Sequence, residues 1–199
     1  MKKIGFYGGS FDPIHNAHVK CAIMMKESLK LDKLLIIPAK LSPYKNATHT
    51  SSKHRYNMCC LAFEGYNDIE VSKIELEREG HSYTCDTIEV LKKEYLDTKL
   101  YMFVGADMFV TLQNWKNAEY VLSNVSVVTV VRNDIDAEKL EIKKKELLQY
   151  CSDVIILKAE PMLESSTLVR EEIKNVNNIE NLVPQKVADY IEQNKLYRS

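Results

Sequence analysis

The sequence lacks the features that mark an exported, membrane-bound or disulfide-stabilised protein. It has no run of roughly 18 apolar residues, the length that a membrane-spanning helix needs. The N-terminus passes from Lys2 and Lys3 directly into the segment 4–9, without the apolar core of a signal peptide. The five cysteines are odd in number and none is in a C-x-x-C spacing, which argues against a disulfide framework or a zinc knuckle. We therefore expect a cytoplasmic protein with reduced thiols and no membrane contact.

The sequence also lacks a charge imbalance. Lys and Arg total 27 and Asp and Glu total 28, which gives a net charge of -1. A protein that captures nucleic acid carries a broad basic field or aromatic residues interleaved with a basic stripe, and this chain has neither. We therefore expect no nucleic-acid partner. A small phosphorylated ligand stays possible, because it needs only a local cluster of donors.

Apolar runs and helical patterns alternate along the chain. The 199 residues, 45% of them apolar, show no repeat and favour one domain over residues 1–199. The predicted strands are 3–7, 34–37, 101–104, 125–131 and 154–157, and the predicted helices follow residue 14 and cover 52–66, 84–96, 137–150, 167–175 and 184–194. This alternation is typical of βαβ units. It predicts an α/β fold with a doubly wound, Rossmann-like parallel sheet and helices on both faces.

A glycine pair, Gly8 and Gly9, directly follows the first predicted strand. Glycine allows close approach of a ligand to the backbone, and the next helix offers unpaired N–H groups to an anion such as phosphate. The glycine spacing matches neither the Walker nor the dinucleotide-binding pattern, so an ordinary tight turn is the alternative. His15 and His18 share a helical face and are predicted to point into the space above the turn. A structural or solvent-exposed histidine pair is the alternative, and the spacing argues against a metal pair.

Two motifs in this sequence resemble those of a known superfamily. Residues 8–18, GGSFDPIHNAH, resemble the G-G-[ST]-F-D-P-x-H-x-x-H signature of the nucleotidyltransferases, and residues 164–170, ESSTLVR, resemble their second motif, S-S-T-x-x-R. Segments 77–84, 105–115 and 182–197 extend the similarity nearly end to end with the bacterial-type nicotinate mononucleotide adenylyltransferases. The resemblance implies transfer of AMP from ATP, with Mg²⁺ on its phosphates, to nicotinate mononucleotide. The products would be pyrophosphate and nicotinate adenine dinucleotide, in NAD biosynthesis.

The resemblance also implies three groups of site residues. The group expected to act on the reacting phosphates is His15, His18, Lys45 and Arg170. The group expected to contact ATP is Gly8, Gly9, Ser10, Phe11, Gly105, Asp107, Arg132, Ser165, Ser166 and Thr167. The group expected to contact the nicotinate nucleotide is Tyr44, Ser82, Tyr83, Thr84 and Trp115. No residue is expected to ligate a metal directly.

Physical reasoning gives some of these residues a specific task. Trp115, the only tryptophan, could stack on a flat pyridine ring, and a buried core tryptophan is the alternative. The segment from Ser82 to Thr84 begins a predicted helix whose free N–H groups would prefer the nicotinate carboxylate to a neutral amide. Plain capping by Ser82 or Thr84 is the alternative. Thr167 is predicted to cap the helix that carries Arg170.

The loop after the second predicted strand departs from the family pattern. Tyr44 stands where a histidine is usual, and a phenol donates one hydrogen bond but does not become cationic near neutral pH. Lys45 is therefore expected to supply more of the positive charge. Two other functions stay open: an adenylyltransferase with another acceptor, such as nicotinamide mononucleotide, and a nucleotide-binding regulatory module without turnover. The sequence carries no mark of an oligomeric state.

Overall fold

The computed structural model describes residues 1–43, 48–131 and 134–198, without the side chains of residues 134–136. Its centre is a six-stranded sheet in the order β3-β2-β1-β4-β5-β6, in which every pairing between neighbours is parallel. The strands are β1 Lys2–Gly9, β2 Lys33–Pro38, β3 Ile69–Val71, β4 Thr98–Phe103, β5 Ser126–Val131 and β6 Val154–Lys158. The chain builds outward from β1 to β3 and then crosses back to β4. The predicted doubly wound α/β fold is confirmed.

Helices connect the strands and close the chain. They are α1 Asn16–Leu29, α2 Ser52–Ala62, α3 Thr84–Glu94, α4 Ala106–Phe109, α5 Ala118–Asn124, α6 Asp134–Leu147, α7 Ser166–Lys174 and α8 Gln185–Gln193, with a 3-10 turn at Leu112–Asn114. The six predicted helices are present with shifted ends, whereas α5 was not predicted. Pro184, the predicted first residue of the last helix, is the N-cap of α8, so this helix begins one residue later than predicted. Across the described ranges, no helix has both the length and the apolarity to span a bilayer.

The sheet separates two apolar clusters. Ile14, Met25, Met58 and Ile191 pack on one face, together with Tyr7 of β1. The preceding strand residue, Phe6, belongs to the cluster on the other face, which also contains buried residues of α3, α5 and α6. Successive strand residues point to opposite faces, so burial of both faces requires continuous apolar runs. This requirement explains why the central strands were visible in the sequence.

The strand β3 was missed because it has only three residues, whereas β6, the other edge strand, has five and was predicted. It pairs with residues 34–36 of β2 and contributes only Ile69 and Val71 to apolar packing. Between them Glu70 faces outward and accepts a hydrogen bond of 2.9 Å from Lys33 Nζ. Three alternating residues give too short a pattern for recognition.

The fold gathers three loops at one edge of the sheet. The segments that follow β1, β2 and β4 leave the carboxyl ends of adjacent strands, next to the point where the strand order reverses. Ligands of open α/β sheets bind at this edge. The C-terminal segment also returns to it, because Asn16 donates hydrogen bonds from its backbone to Leu182 O (2.9 Å) and from its side chain to Asn181 O (3.0 Å).

Candidate active site

The glycine turn after β1 rests on an aromatic ring. Phe11 is buried, has a φ of 48° and lies with its ring 5.3 Å from that of Tyr7 and 5.1 Å from that of His18. A Cβ atom on Gly9 would come within 2.9 Å of the Phe11 ring, so this position excludes larger residues. The ring of Phe11 therefore packs against one side of the turn, and the residues 8–10 line the cleft on the other side.

The two histidines meet, but by a different route from the one predicted. His15 is the extended N-cap residue of α1, with φ −141° and ψ 170°, and does not belong to the helix. Its backbone N–H donates to His18 Nδ1 at 3.3 Å, and the two rings stack with centroids 3.6 Å apart. Because Nδ1 of His18 accepts, a neutral ring carries its proton on Nε2. His18 is thereby prepared as a hydrogen-bond donor.

The second motif is fastened to the first. Ser165 is the N-cap of α7 and accepts a hydrogen bond of 3.1 Å from Leu168 N, so the prediction that Thr167 caps this helix is wrong. Ser166 Oγ donates to the carbonyl oxygen of Pro13 at 2.9 Å. Arg170 donates from Nη1 to the carbonyl oxygen of Asp12 at 2.7 Å and from Nη2 to Thr167 Oγ1 at 3.2 Å. The hydroxyl of Thr167 therefore accepts from the guanidinium of Arg170 and does not cap α7.

Arg55 is a buried cation beneath the site that the sequence did not reveal. Its side chain is 0% exposed and donates 2.6 Å hydrogen bonds to the carbonyl oxygens of Ser10 and Ala39, which follow β1 and β2. Burial lowers the pKa of Arg55, and the nearby carboxylate of Asp12 opposes that shift. Because N–H and C=O point in opposite directions in a trans peptide, the bond to Ser10 turns the N–H of Phe11 away from Arg55. No sequence pattern marks Arg55. The rule that a buried arginine needs partners applies only once its burial is known from the structure.

A cleft extends from the glycine turn toward the start of α3. Its wall includes six of the residues predicted to bind a ligand: Gly8, Gly9, Ser10, Ser82, Thr84 and Trp115. Trp115 is half-buried and packs partly against the apolar cluster of α3 and α5, so it is both a core and a cleft residue. The ring of Tyr83 lies 4.0 Å from the ammonium group of Lys116.

Ser82 is part of the scaffold of the cleft. Its N–H donates to Leu41 O at 2.8 Å, and its Oγ accepts from Lys40 N at 2.9 Å. The N-cap of α3 is Tyr83, without a side-chain cap, so capping by Ser82 or Thr84 is not found. The N–H groups of the first turn of α3 have no partner within the helix and adjoin Thr84 at the cleft wall.

A buried carboxyl group, Glu75, also lines the cleft. It accepts a hydrogen bond of 2.7 Å from Thr87 Oγ1, which in turn lies 3.2 Å from Arg78 Nη2. Burial raises the pKa of Glu75, opposed by the hydrogen bonds from Thr87 and Ser82 and by the charge of Arg78. No sequence pattern distinguishes Glu75 from Glu77 and Glu79, which also lie between β3 and α3, so its role was not predicted.

The other predicted contacts fall into two groups. Gly105 is the N-cap of α4, and a Cβ there would lie 2.7 Å from Asp107 Oδ1, so these two residues adjoin each other. Tyr44, Lys45 and Arg132 lie outside the described residues. Within the described ranges, no group of three or more His, Cys, Asp or Glu residues could hold a metal ion.

The fold defines an α/β protein of the doubly wound class with a cleft that begins at the glycine turn after β1, and sequence comparison narrows that class. The sequence model of the Cytidylyltransferase-like family matches residues 6–172. A probable nicotinate-nucleotide adenylyltransferase of Clostridium botulinum is 36% identical over 201 residues, covering 100% of this chain and 99% of that protein. A protein of the same description from Gemmatimonas aurantiaca is 38% identical over 197 residues, covering 98% of this chain and 92% of that protein.

Solved structures share the fold. The nicotinic acid mononucleotide adenylyltransferase of Plasmodium falciparum complexed with NaAD matches with a TM-score of 0.81 at 20% identity, covering 99% of this chain and 98% of that one. The same protein complexed with APC gives a TM-score of 0.79 at 19% identity, with the same coverage. This chain belongs to the cytidylyltransferase-like family and, within it, to the nicotinate-nucleotide adenylyltransferases.

Proposed function

We propose that this protein transfers AMP from ATP to nicotinate mononucleotide, forming nicotinate adenine dinucleotide and pyrophosphate, as a step of NAD biosynthesis. The observation that carries the proposal is a cleft that joins the glycine turn to a helix start beside Trp115. The stacked rings of His15 and His18 adjoin this turn through Phe11. The relatives named nicotinate-nucleotide adenylyltransferase and the relative complexed with NaAD support this choice of substrates.

The reaction is an in-line displacement at the α-phosphorus of ATP. An oxygen of the mononucleotide 5′-phosphate forms the new P–O bond, and the bond to the bridging oxygen between the α- and β-phosphorus atoms breaks to release pyrophosphate. The nucleophile is already anionic, so no covalent protein intermediate is needed. Catalysis then rests on positioning and on stabilising charge.

The residues of the two motifs would serve the phosphates. His18, with its proton on Nε2, would donate to the α-phosphate, while His15 would assist the attacking or leaving groups. Arg170, together with the start of α7 at Ser166 and Thr167, would bind the β- and γ-phosphates. The N–H groups of the turn from Gly8 to Phe11 would face the same anion, supported by the contacts that hold the turn from below.

Other residues around the cleft would bind the adenosine of ATP and the remaining negative charge of its phosphates. Gly105 and Asp107 would border the adenosine, with Arg132 near the adenine and Lys45 near the phosphates. Mg²⁺ would arrive on the triphosphate, whose oxygens are the hard ligands that this ion prefers.

The nicotinate nucleotide would occupy the part of the cleft near α3. Trp115 would stack on the pyridine ring, and the first-turn N–H groups of α3 at Thr84 would bind the ring carboxylate. Ser82 and Tyr83 would frame this helix start, and Tyr44 would adjoin the nucleotide phosphate. A carboxylate gains more than a neutral amide at the positive end of a helix, which favours the nicotinate form.

One assay tests the function and its rivals. The protein is incubated with ATP and Mg²⁺ and with either nicotinate or nicotinamide mononucleotide, and pyrophosphate and dinucleotide are measured. We expect both products with nicotinate mononucleotide at a kcat/KM at least about tenfold higher, a difference of about 1.4 kcal/mol. Equal use of both acceptors would contradict the specificity. Absence of pyrophosphate with either acceptor, despite ATP binding, would favour the regulatory module.

The remaining expectations concern the whole chain. We propose that residues 1–199 form one domain, supported by a single sheet that carries both motifs at one edge. We also propose a cytoplasmic location, supported by five cysteines that are all free thiols.

A further inference from the structure

The carboxylate of Asp12 joins segments that are distant in the sequence. It is 5% exposed, accepts from the hydroxyl of Tyr197 at 2.8 Å through Oδ1, and accepts from the N–H of His49 at 2.5 Å through Oδ2. The carbonyl oxygen of the same residue accepts from Arg170. The side chain of Asp12 therefore points away from the phosphate side of the turn and into a buried set of contacts.

Tyr197 is held in place by that set. Its side chain is 7% exposed and belongs to the same apolar cluster as Tyr7 and Phe11. Its φ of 63° is in the left-handed region, which a non-glycine residue adopts only when its surroundings maintain it. Burial and the adjacent Asp12 carboxylate raise the pKa of Tyr197, so its hydroxyl stays protonated and donates to the carboxylate.

Two guanidinium groups complete the environment of Asp12. Arg55 and Arg170 both act electrostatically on Tyr197, and Arg55 acts on Asp12 as well. Each of these arginines also donates to a carbonyl oxygen of the turn, at Ser10 and at Asp12 respectively. A displacement of the Asp12 side chain would therefore move the backbone to which Arg170 is bonded.

We propose that Tyr197 is a positioning residue for adenylyl transfer: its hydroxyl fixes Asp12, and Asp12 fixes the glycine turn and Arg170 in the geometry that receives the ATP phosphates. This inference rests on the proposed function. Tyr197 is buried and is not among the residues that line the cleft. Its loss should therefore affect the phosphate chemistry and leave the mononucleotide end of the cleft intact.

Tyr197→Phe is the direct test, and Tyr190→Phe is its matched control. Tyr190, also near the C-terminus, uses its hydroxyl to contact His54 Nδ1 and Asn57 Nδ2, both at 2.9 Å, on α2. Each variant loses one bonded hydroxyl, but only Tyr197 is bonded to the turn. The measurements are kcat, KM for each substrate, ATP affinity by calorimetry and thermal unfolding.

We expect Tyr197→Phe to lower kcat/KM for ATP by about 10- to 100-fold, the range of a hydrogen bond to a charged group. KM for the mononucleotide should change by less than about twofold, and Tyr190→Phe should keep wild-type kinetics even if it loses stability. Asp12→Asn should cause a similar defect, and the double variant should be little worse than the poorer single variant, because both remove one linkage.

The inference is overturned if Tyr197→Phe behaves like Tyr190→Phe, if it weakens both substrates equally, or if its effect adds fully to that of Asp12→Asn. If the proposed function itself is wrong, the result is different: the wild type forms no pyrophosphate. In that case the calorimetric arm still decides whether Tyr197 positions the turn, since Tyr197→Phe would lower ATP affinity and Tyr190→Phe would not.

Discussion

Arg170 Nη1 and the carbonyl oxygen of Asp12 are joined by a 2.7 Å hydrogen bond, which links the second motif to the first across 158 residues. This bond orients the guanidinium while leaving other N–H groups of the fork for a ligand. A donor that is oriented before binding loses less entropy when the anion arrives. The bond therefore gives the site part of its geometry before any nucleotide enters.

Replacement of Arg170 tests that orientation. Arg170→Lys keeps the charge, but an ammonium group cannot bond to Asp12 O, Thr167 Oγ1 and a phosphate in the planar geometry of a guanidinium. We expect kcat/KM for ATP to fall about 10- to 100-fold with little change in the mononucleotide KM. Lys174→Arg, at an exposed position of the same helix, is the control for an exchange between lysine and arginine that keeps the charge. Wild-type kinetics in Arg170→Lys would show that charge alone is sufficient.

Removal of the His18 side chain should have the largest effect on turnover. His18→Ala deletes the Nε2 donor, and loss of one well-placed donor to a developing charge costs about 10²–10³ in kcat. The control is His54→Ala on α2, which removes a histidine bonded to Tyr190 and away from the turn. Steady-state rates with saturating substrates provide the measurement. A near-normal rate for His18→Ala would remove His18 from the mechanism.

Trp115 variants separate stacking from packing. Trp115→Ala should raise KM for the mononucleotide about tenfold or more and KM for ATP much less, because a stacked aromatic pair contributes about 0.5–1.5 kcal/mol beyond its buried area. Trp115→Phe, which retains a ring, should recover most of the loss. If both KM values rise together and thermal stability falls in parallel, Trp115 acts only through the core.

Glu75 should give the protein a pH-dependent stability. Since burial favours the neutral acid, folding retains a proton on Glu75 that the unfolded chain releases near pH 4.3. This contribution is fully present below about pH 4.3 and is lost as the pH rises through the higher pKa of the folded state. The free energy of unfolding of the wild type, relative to that of Glu75→Gln, should therefore decline over that interval.

A second variant shifts the pH interval over which the contribution of Glu75 to stability is lost. Thr87→Val removes a hydrogen bond that lowers the pKa of Glu75, so the decline should extend to higher pH. Denaturant unfolding from pH 4 to pH 8 measures both effects. A constant difference between the wild type and Glu75→Gln at every pH would mean that Glu75 has the same pKa in both states.

The fold was predictable where burial on two faces produces continuous apolar runs. The strands β1, β2, β4 and β5 inside the sheet and the five-residue edge strand β6 were predicted. The edge strand β3, with only Ile69 and Val71 as apolar residues, was not. Residues 8–18 and 164–170 could be assigned because a motif is local in sequence.

The supporting contacts could not be predicted, because they depend on tertiary geometry. Arg55, Glu75 and Tyr197 each act through partners brought together by the sheet. The predicted cap of α7 was wrong for a related reason. Ser165 and Thr167 are both suitable caps, and only the path of the backbone decides which of them begins α7.

The bond between Asp12 and Tyr197 spans 185 residues, which has a consequence for the order of assembly during translation. A ribosome releases Asp12 well before Tyr197, which follows α8 in the sequence. The emerging chain can pair β1 with β2 long before it can supply the tyrosine. On the proposed role of Tyr197, a nascent chain would have the motif sequence without its nucleotide-binding geometry until Tyr197 itself, beyond the end of α8, has left the ribosome.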